Sequence, residues 1–403
     1  MFTSGLSVVT GKRYACLSFL FLLVVLSLPL SISYSPSAPL LVVVDSLPAQ
    51  RIDHGPILIR NNSDFLEQKS TYGWSGNGTE DFPIVISDYR IEDYQVGIDI
   101  ENIDLYFIIR NCEINDFEYL NQSTYGIRMK NCTHGTIDAA YTNMKETGVL
   151  IEDSDNITIS HSIIHDCQTA VSIFNTSNIF IETNHFGWND YTGIVLNQTE
   201  RCWILDTFLL GLPDYGILCV RDNCTTIADN VITSGAQGDS QFSHYGISSL
   251  SSWNLVIEAV DISFCYVGVD LFDTKDSYVG YCNFTGNSYY GIFLHPETYN
   301  MTIRENHFGP NGLNAHDDGQ NNYWDSNFWS DYIGEGYYYI PGSAESVDLN
   351  PRIFSQPTTT STSPTSNHET DDINYRFRLI LSFGIGLEIV LVTYLLYRRK
   401  RIR

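Results

Sequence analysis

The feature that most constrains this chain is a repeated phrase, Tyr-Xaa-Gly-Ile-Xaa-Leu, followed about a dozen residues later by Ile-Xaa-Xaa-Asn-Xaa-Ile. Most copies of the Gly-Ile part are 22 or 23 residues apart, and two steps are longer, at 29 and 30 residues. The copies stand at Gly97, Gly126, Gly148, Ala170, Gly193, Gly216, Gly246, Gly268 and Gly291. A fixed period in this range is typical of a repeat architecture.

Each repeat is predicted to contain short strands rather than a helix. Apolar residues alternate with period two, as at Ile157 and Ile159 or at Ile179 and Ile181, which indicates strands. A unit of about 22 residues cannot bury a one-row apolar face alone, so copies must stack in parallel. The expected fold is therefore all-β, a parallel solenoid of about ten coils with one strand per sheet in each coil.

Two kinds of residue in the phrase are expected to have structural roles. The recurring glycine is expected to supply an unusual backbone angle at a corner. The recurring asparagine is expected to form an inward polar ladder, with other small polar residues replacing it in some coils. The ladder positions are Asn184, Asn230 and Asn306, with Ser162, Thr207 and Cys282 as the replacements. The longer steps place insertions near 117–122 and 234–243, in turns, where solenoids usually carry function.

The ends of the chain have a different composition from the coils. A basic flank precedes an apolar run in the first 34 residues, which predicts a secretory signal or an anchor. Near the other end, a Thr/Ser/Pro-rich stretch leads to an apolar run from Leu379 to Leu396, followed by basic residues, which predicts a membrane span with a cytoplasmic tail. The predicted segments are a signal or anchor (1–34), an N-terminal cap (35–82), β-helix coils (83–312), an aromatic C-terminal cap (313–352), a stalk (353–377), a span (378–397) and a tail (398–403). The chain is thus expected in the cell membrane, with the coils outside. From Leu40 to Asp81 we expect irregular structure with one strand, at Gly55 to Ile59.

The formal net charge of −25 and the lack of a cluster of basic residues in the coils exclude nucleic acid as a partner. Such a surface suits cations or neutral glycans and disfavours polyanionic polysaccharides unless metal ions bridge them. Eight of the nine cysteines follow the apolar N-terminal run, and an even number outside the cytoplasm permits disulfides without establishing them.

Ten Asn-Xaa-Ser/Thr triplets are candidates for glycosylation of an exported chain. They begin at Asn61, Asn77, Asn121, Asn131, Asn156, Asn175, Asn197, Asn223, Asn283 and Asn300.

The Gly-Ile-Xaa-Leu and Ile-Xaa-Xaa-Asn-Xaa-Ile coils resemble the right-handed parallel β-helix repeats of pectate-lyase-like proteins. More narrowly, the head segment from His54 to Ile86 and the tail from Asp317 to Tyr332 look like those of NosD-like β-helix proteins, which are common on archaeal cell surfaces. The resemblance implies a right-handed parallel β-helix from about His54 to Pro351. It implies no single activity, because that family includes copper-site maturation proteins, carbohydrate-binding or carbohydrate-cleaving proteins and other surface proteins.

Four kinds of residue are candidates for a functional site. Asp317 and Asp318 form an adjacent acidic pair that could serve a polysaccharide hydrolase or hold a cation such as Ca²⁺, although a turn is the simpler explanation. A lyase would need Ca²⁺ on clustered Asp residues and a nearby Arg or Lys base; Arg110, Arg128 and Arg304 lie too far apart along the stack.

For a copper role, His161, His165, His185 and His307 are the available ligands, and ordinary surface histidines explain them more simply. Trp324, Trp329 and Tyr332 could stack on sugar rings or simply close the end of the apolar stack.

The function favoured by the sequence is a binding surface for glycans or other cell-surface components. The alternatives are a polysaccharide hydrolase or lyase and a copper accessory protein.

Overall fold

A computed structural model describes residues 51–116, 124–211, 214–234 and 244–353. Their strands form three parallel sheets, here called A, B and C, and successive coils run through C, then A, then B. The predicted parallel β-solenoid is confirmed, with eleven strands in sheet B.

The thirteen strands of sheet A are Ile52–Asp53, Tyr89–Glu92, Glu113–Asn115, Tyr141–Asn143, Ile163–His165, His185–Gly187, Phe208–Leu210, Val231–Thr233, Asp261–Ser263, Asn283–Thr285, His307–Phe308, Phe328–Trp329 and Arg352–Ile353. The strands of sheet B are Ile57–Ile59, Val96–Ile103, Tyr125–Cys132, Thr147–Glu152, Thr169–Phe174, Thr192–Asn197, Tyr215–Val220, Tyr245–Leu250, Val267–Phe272, Tyr290–Leu294 and Leu313–Asp317. The thirteen strands of sheet C are Ile84–Ser87, Phe107–Arg110, Gly135–Asp138, Asp155–Ser160, Ser177–Glu182, Glu200–Leu205, Thr226–Ala228, Val256–Glu258, Tyr278–Gly280, Thr302–Arg304, Tyr323–Asp325, Val347–Asp348 and Tyr338–Tyr339. The last two pair antiparallel.

The core is a set of apolar columns that run from coil to coil. Ile194 is in register with Ile217, and Ile181 with Ile204; all four side chains are fully buried. Neighbouring residues on a strand point to opposite sides of the sheet. The residue that follows each of these isoleucines on its own strand therefore faces outward. The alternation of apolar and polar residues in the sequence therefore predicts which side chains face the inside of the solenoid and which face the outside.

The recurring glycine is required by a close approach and not by an unusual backbone angle, so that expectation was wrong. A Cβ added to Gly246 would lie 2.5 Å from the carbonyl oxygen of Gly268 and 2.5 Å from Cγ2 of Ile262. Gly246 is absent from the described glycines with positive φ. Hydrogen is therefore the side chain that lets successive coils approach at this column.

The inward polar ladder is present. Oδ1 of Asn184 accepts a hydrogen bond from the backbone N–H of Ser162 at 2.9 Å, and Nδ2 of Asn184 donates to the carbonyl of Ile159. Asn230 and Asn306 make the same pair of contacts with their preceding coils. These buried amides satisfy backbone groups that the corner takes out of the sheet ladder.

The N-terminal end contains a helix that the sequence analysis did not predict. The helix spans Asn62–Tyr72, with Asn61 as its N-cap and Gly73 in a left-handed conformation as its C-cap. Its one buried residue, Phe65, packs edge-on against Trp74 and Phe107. The helix thus covers the first coil with a single apolar side chain, which explains why its sequence carries no apolar stripe.

Both predicted insertions connect sheet A to sheet B, since each falls between a described strand of A and the next described strand of B. The first predicted insertion, 117–122, lies outside the described residues, and so does the second, 234–243, except for Ser234. So do the predicted signal, the tail, the span and all but the first residue of the stalk. Within the described ranges, no helix has the length and apolar character needed to cross a membrane. The eight cysteines there form no disulfide, and seven of them are buried.

Candidate functional site

A run of touching aromatic rings follows the outer side of sheet B and its border with the preceding turn. Ring centroids lie 5.3 Å apart between Tyr215 and Tyr245, 6.4 Å between Tyr245 and Tyr266, and 4.9 Å between Tyr266 and Tyr289. The run continues through Tyr290, whose ring is 4.2 Å from that of Tyr289. We call these five tyrosines the aromatic row; it follows the solenoid axis, because its members come from successive coils.

The aromatic row ends at two histidine–carboxylate pairs on three neighbouring strands of sheet B. Nε2 of His295 lies 3.0 Å from Oδ1 of Asp270, and Nε2 of His316 lies 3.1 Å from Oδ2 of Asp318. The ring of Phe293 lies between the two imidazoles, 4.0 Å from that of His295 and 5.2 Å from that of His316. We call the two pairs the histidine–aspartate cluster; its four side chains are 15% to 26% exposed.

The strand register brings these residues together. Asp270, Phe293 and His316 are directly opposite one another on adjacent strands, in positions between inward-facing residues. His295 follows two residues after Phe293 and therefore faces the same side. A compact polar group thus results from residues of three successive coils that are more than 20 residues apart in sequence.

Hydrogen bonds orient the imidazole of His316 and the carboxylate of Asp318. The backbone N–H of Ser343, 2.7 Å from Oδ1 of Asp318, and the His316 ring hold the pKa of this carboxyl below its usual range. The carboxylate bonds Nε2 of His316, which leaves Nδ1 as the second ring nitrogen. This Nδ1 is buried and has no hydrogen-bond partner among the described residues. Burial raises the pKa of Tyr290 to about 12, so its hydroxyl stays protonated at neutral pH.

The two predicted acidic residues face opposite sides. Asp317 is fully buried and accepts hydrogen bonds from Gly319, Asn322, Trp324 and Ser346. Asp317 therefore holds the C-terminal cap together, while Asp318 belongs to the outward histidine–aspartate cluster. The adjacent pair does not act as one site, because strand alternation separates the two carboxylates.

The aromatic candidates lie in the cap. Trp324 and Trp329 are 1% and 0% exposed, and Nε1 of Trp329 donates to Asp348 at 3.0 Å. Trp329 is stacked between Phe308 and Tyr338. Tyr332 packs against the core and donates its hydroxyl proton to the carbonyl of Gly336. These rings close the last coil.

The histidines considered for copper are separately engaged. His161 bonds Asp138 at 3.0 Å, and His165 contacts the Tyr141 hydroxyl and Asp166. His185 stacks on Phe208, and burial lowers its pKa to about 4. His307 stacks on Phe328. In the part of the chain that the structure describes, no group of three or more His, Cys, Asp or Glu side chains could hold a metal ion.

Nine of the ten candidate glycosylation triplets begin at a described asparagine; Asn121 lies outside the described residues. None of the nine asparagines is buried. Six of them lie at or beside the corner between sheets B and C, namely Asn131, Asn156, Asn175, Asn197, Asn223 and Asn300. Glycosylation at these asparagines stays a prediction.

These features define a parallel β-helix protein with an aromatic and histidine-bearing face on one sheet. The family model described as "Right handed beta helix region" matches residues 96–238 and 213–328. These ranges together cover more than half of the chain, and the chain belongs to this family.

Solved structures match the chain at low identity. The periplasmic alginate epimerase AlgG is 13% identical, with 75% of this chain and 84% of that chain covered and a TM-score of 0.50. The GH136 lacto-N-biosidase from Eubacterium ramulus is 10% identical, with 75% and 68% covered and a TM-score of 0.44. At such identities the likeness shows the fold alone. No curated protein matches the chain.

Proposed function

We propose that this protein binds a polysaccharide along the outer face of sheet B. The observation that carries the proposal is the aromatic row, whose members other than the buried Tyr290 offer ring surface and phenolic hydroxyls over successive coils. Sugars present apolar C–H faces and hydroxyl groups together, and tyrosine can meet both. A row parallel to the solenoid axis suits an extended chain better than a compact ligand. The alginate epimerase has the same fold, so a polysaccharide ligand is compatible with this fold. Fold alone does not fix function.

The proposal is tested by removing rings from the aromatic row. Tyr245→Ala and Tyr289→Ala are each expected to weaken binding by about tenfold or more, because each truncation removes a ring from the contact surface. Affinity would be measured by calorimetry for glycans selected on an array of neutral and acidic polysaccharides. Tyr281→Ala is the matched control, since Tyr281 is 53% exposed but lies at the corner between sheets C and A. Equal losses in all three variants, or no loss in the first two, would contradict the proposal.

A second candidate function is an enzyme that acts on the bound polysaccharide. It is favoured by the histidine–aspartate cluster, where two carboxylate-oriented imidazoles stand on adjacent strands at the end of the aromatic row. A positioned imidazole contributes about 10² to 10⁴ to a proton-transfer rate. We therefore expect His316→Gln to reduce product formation at least about a hundredfold while glycan affinity changes little.

The control for the enzyme is His161→Gln, which alters a carboxylate-bonded histidine at another corner and is expected to keep full activity. Product would be followed by mass spectrometry of the polysaccharide. If the unaltered protein forms no product from a glycan that it binds, the result contradicts the hypothesis of an enzyme and leaves the proposed binding function intact.

A further inference from the structure

The charges along sheet B restrict the class of polysaccharide; this inference rests on the proposed function. The central strands of the face are Thr169–Phe174, Thr192–Asn197, Tyr215–Val220 and Tyr245–Leu250. The residues at the strand starts and at the outward positions, all described, are Thr169, Ser172, Phe174, Thr192, Val195, Asn197, Tyr215, Leu218, Val220, Tyr245, Ser248 and Leu250. None of these side chains is charged at neutral pH. Neighbouring side chains cover three of them, Ser172, Thr192 and Ser248, which are buried. At about 4.8 Å per strand, the uncharged strip is about 14 Å long.

The arginines at the N-terminal end of the face are already paired. Arg128 contacts both Asp99 and Glu101, and Arg60 lies 2.7 Å from Asp99. Lys130 stands in register between two acidic residues, Glu101 and Glu152. An incoming carboxylate would have to displace a protein carboxylate from the two arginines. The arginines therefore provide no ready site for a uronate.

At the other end of the face, positive and negative groups are also matched. Each imidazole of the histidine–aspartate cluster is matched by one carboxylate, so protonation of a histidine only neutralises its pair. The border of the aromatic row carries Asp190 and Asp214, which precede Tyr191 and Tyr215. The exposed Arg221 directly follows one of the central strands. Apart from this residue, a polyanion on this face would have its carboxylates on an uncharged strip bordered by acidic groups, in a protein of net charge −25. The cost of removing several charges from water is then offset by one opposite charge at most.

We propose that the polysaccharide bound by sheet B is an uncharged one, and that polyuronates are excluded. Recognition then depends on tyrosine rings and hydroxyls and on the partly exposed side chains of Thr169 and Asn197. Such contacts are short-ranged and nearly insensitive to salt, whereas contacts to a polyanion are screened by it.

The test compares polysaccharides that differ in charge but not in backbone. The full-length protein would be titrated with mannuronan and polygalacturonate fragments, and with the same fragments after reduction of each carboxyl group to a hydroxymethyl group. For at least one pair we expect the neutral member to bind at least about tenfold tighter, with little change between low and high salt. Equal or tighter binding of the acidic members would overturn the neutral class and leave the proposed function intact. Binding of no glycan on the array or in these titrations would refute the proposed function itself.

A charge placed in the strip provides a second, independent test. Val195 is half-buried between Ser172 and Leu218 in register, and a lysine there can keep its ammonium group in water. Val195→Lys is expected to raise the affinity for mannuronan at least about tenfold, with a new dependence on salt. Thr158→Lys adds the same charge on the outer side of sheet C and is expected to change nothing. If the two variants behave alike, the charge of this strip does not determine which class of polysaccharide is bound, and the inference fails.

Discussion

Replacing Lys145 by methionine is expected to lower the free energy of unfolding by about 3 to 5 kcal/mol. Nζ of Lys145 lies 2.6 Å from Oδ1 of Asp116 and 2.6 Å from the carbonyl oxygen of Tyr94. Both charged side chains are 1% exposed. Burial lowers the pKa of Lys145 and raises the pKa of Asp116, while their mutual contact opposes both shifts. Without the lysine, a buried carboxylate loses its counter-charge.

Urea unfolding followed by circular dichroism measures this effect. Arg201→Ala is the control, because Arg201 and Glu200 form an exposed pair, and such pairs contribute about 0 to 1 kcal/mol. The double variant Lys145→Met with Asp116→Leu is expected to recover most of the loss, since a packed apolar pair often matches a buried ion pair. A single variant as stable as the unaltered protein would show that the pair is not buried in solution.

The second large effect is a loss of stability of about 3 kcal/mol as the pH rises from about 4 to about 7, caused by Asp222. This carboxyl is 1% exposed and accepts a hydrogen bond from the Thr199 hydroxyl. Burial raises its pKa from 3.8 to about 6. Between these values the folded state binds a proton that the unfolded state has lost, so stability falls with rising pH and levels off above the folded pKa.

Asp222→Asn is expected to remove this component. The variant should be about as stable as the unaltered protein at pH 4 and about 3 kcal/mol more stable at pH 7, as measured by urea unfolding at both values. Asp190→Asn, at an exposed carboxylate, controls for the general effect of removing one negative charge. A gain of the same size at both pH values would assign the effect to packing and not to ionisation.

The sequence was sufficient for the fold because the core is one short pattern repeated. The period, the buried isoleucines and the ladder asparagines are all local in sequence, and each coil restates them. The role of the repeated glycine was not recoverable, since the atoms that exclude a Cβ from Gly246 belong to Ile262 and to the next coil. The helix Asn62–Tyr72 escaped prediction because it buries only Phe65.

The candidate site was harder to predict, because its parts meet only through the register. Asp270 and His295 are 25 residues apart, and nothing in either neighbourhood marks them as partners. The tyrosines beside the recurring glycines were a usable signal, since Tyr215, Tyr245 and Tyr290 each directly precede one. Asp317 and Trp324 were candidates in the sequence, but their roles are structural. The end of an apolar stack needs large rings to cover it and a carboxylate to accept hydrogen bonds from the ring N–H groups.

The corner between sheets B and C bears on how glycosylation triplets in such chains are interpreted. Asn131, Asn156, Asn175 and Asn300 all have φ between 47° and 57°, a left-handed conformation that asparagine tolerates better than most residues. In each of these four triplets the middle residue is the buried one, as at Cys132 and Ile157, and the Ser or Thr in the third position is not buried. At Asn197 and Asn223 the third residue is buried instead, since Thr199 and Thr225 are 2% and 1% exposed. Backbone geometry thus favours the asparagine of the first four triplets, and the inward position favours the threonine of the other two. In solenoids of this kind, the abundance of such triplets reflects corner geometry as well as selection for attached sugar.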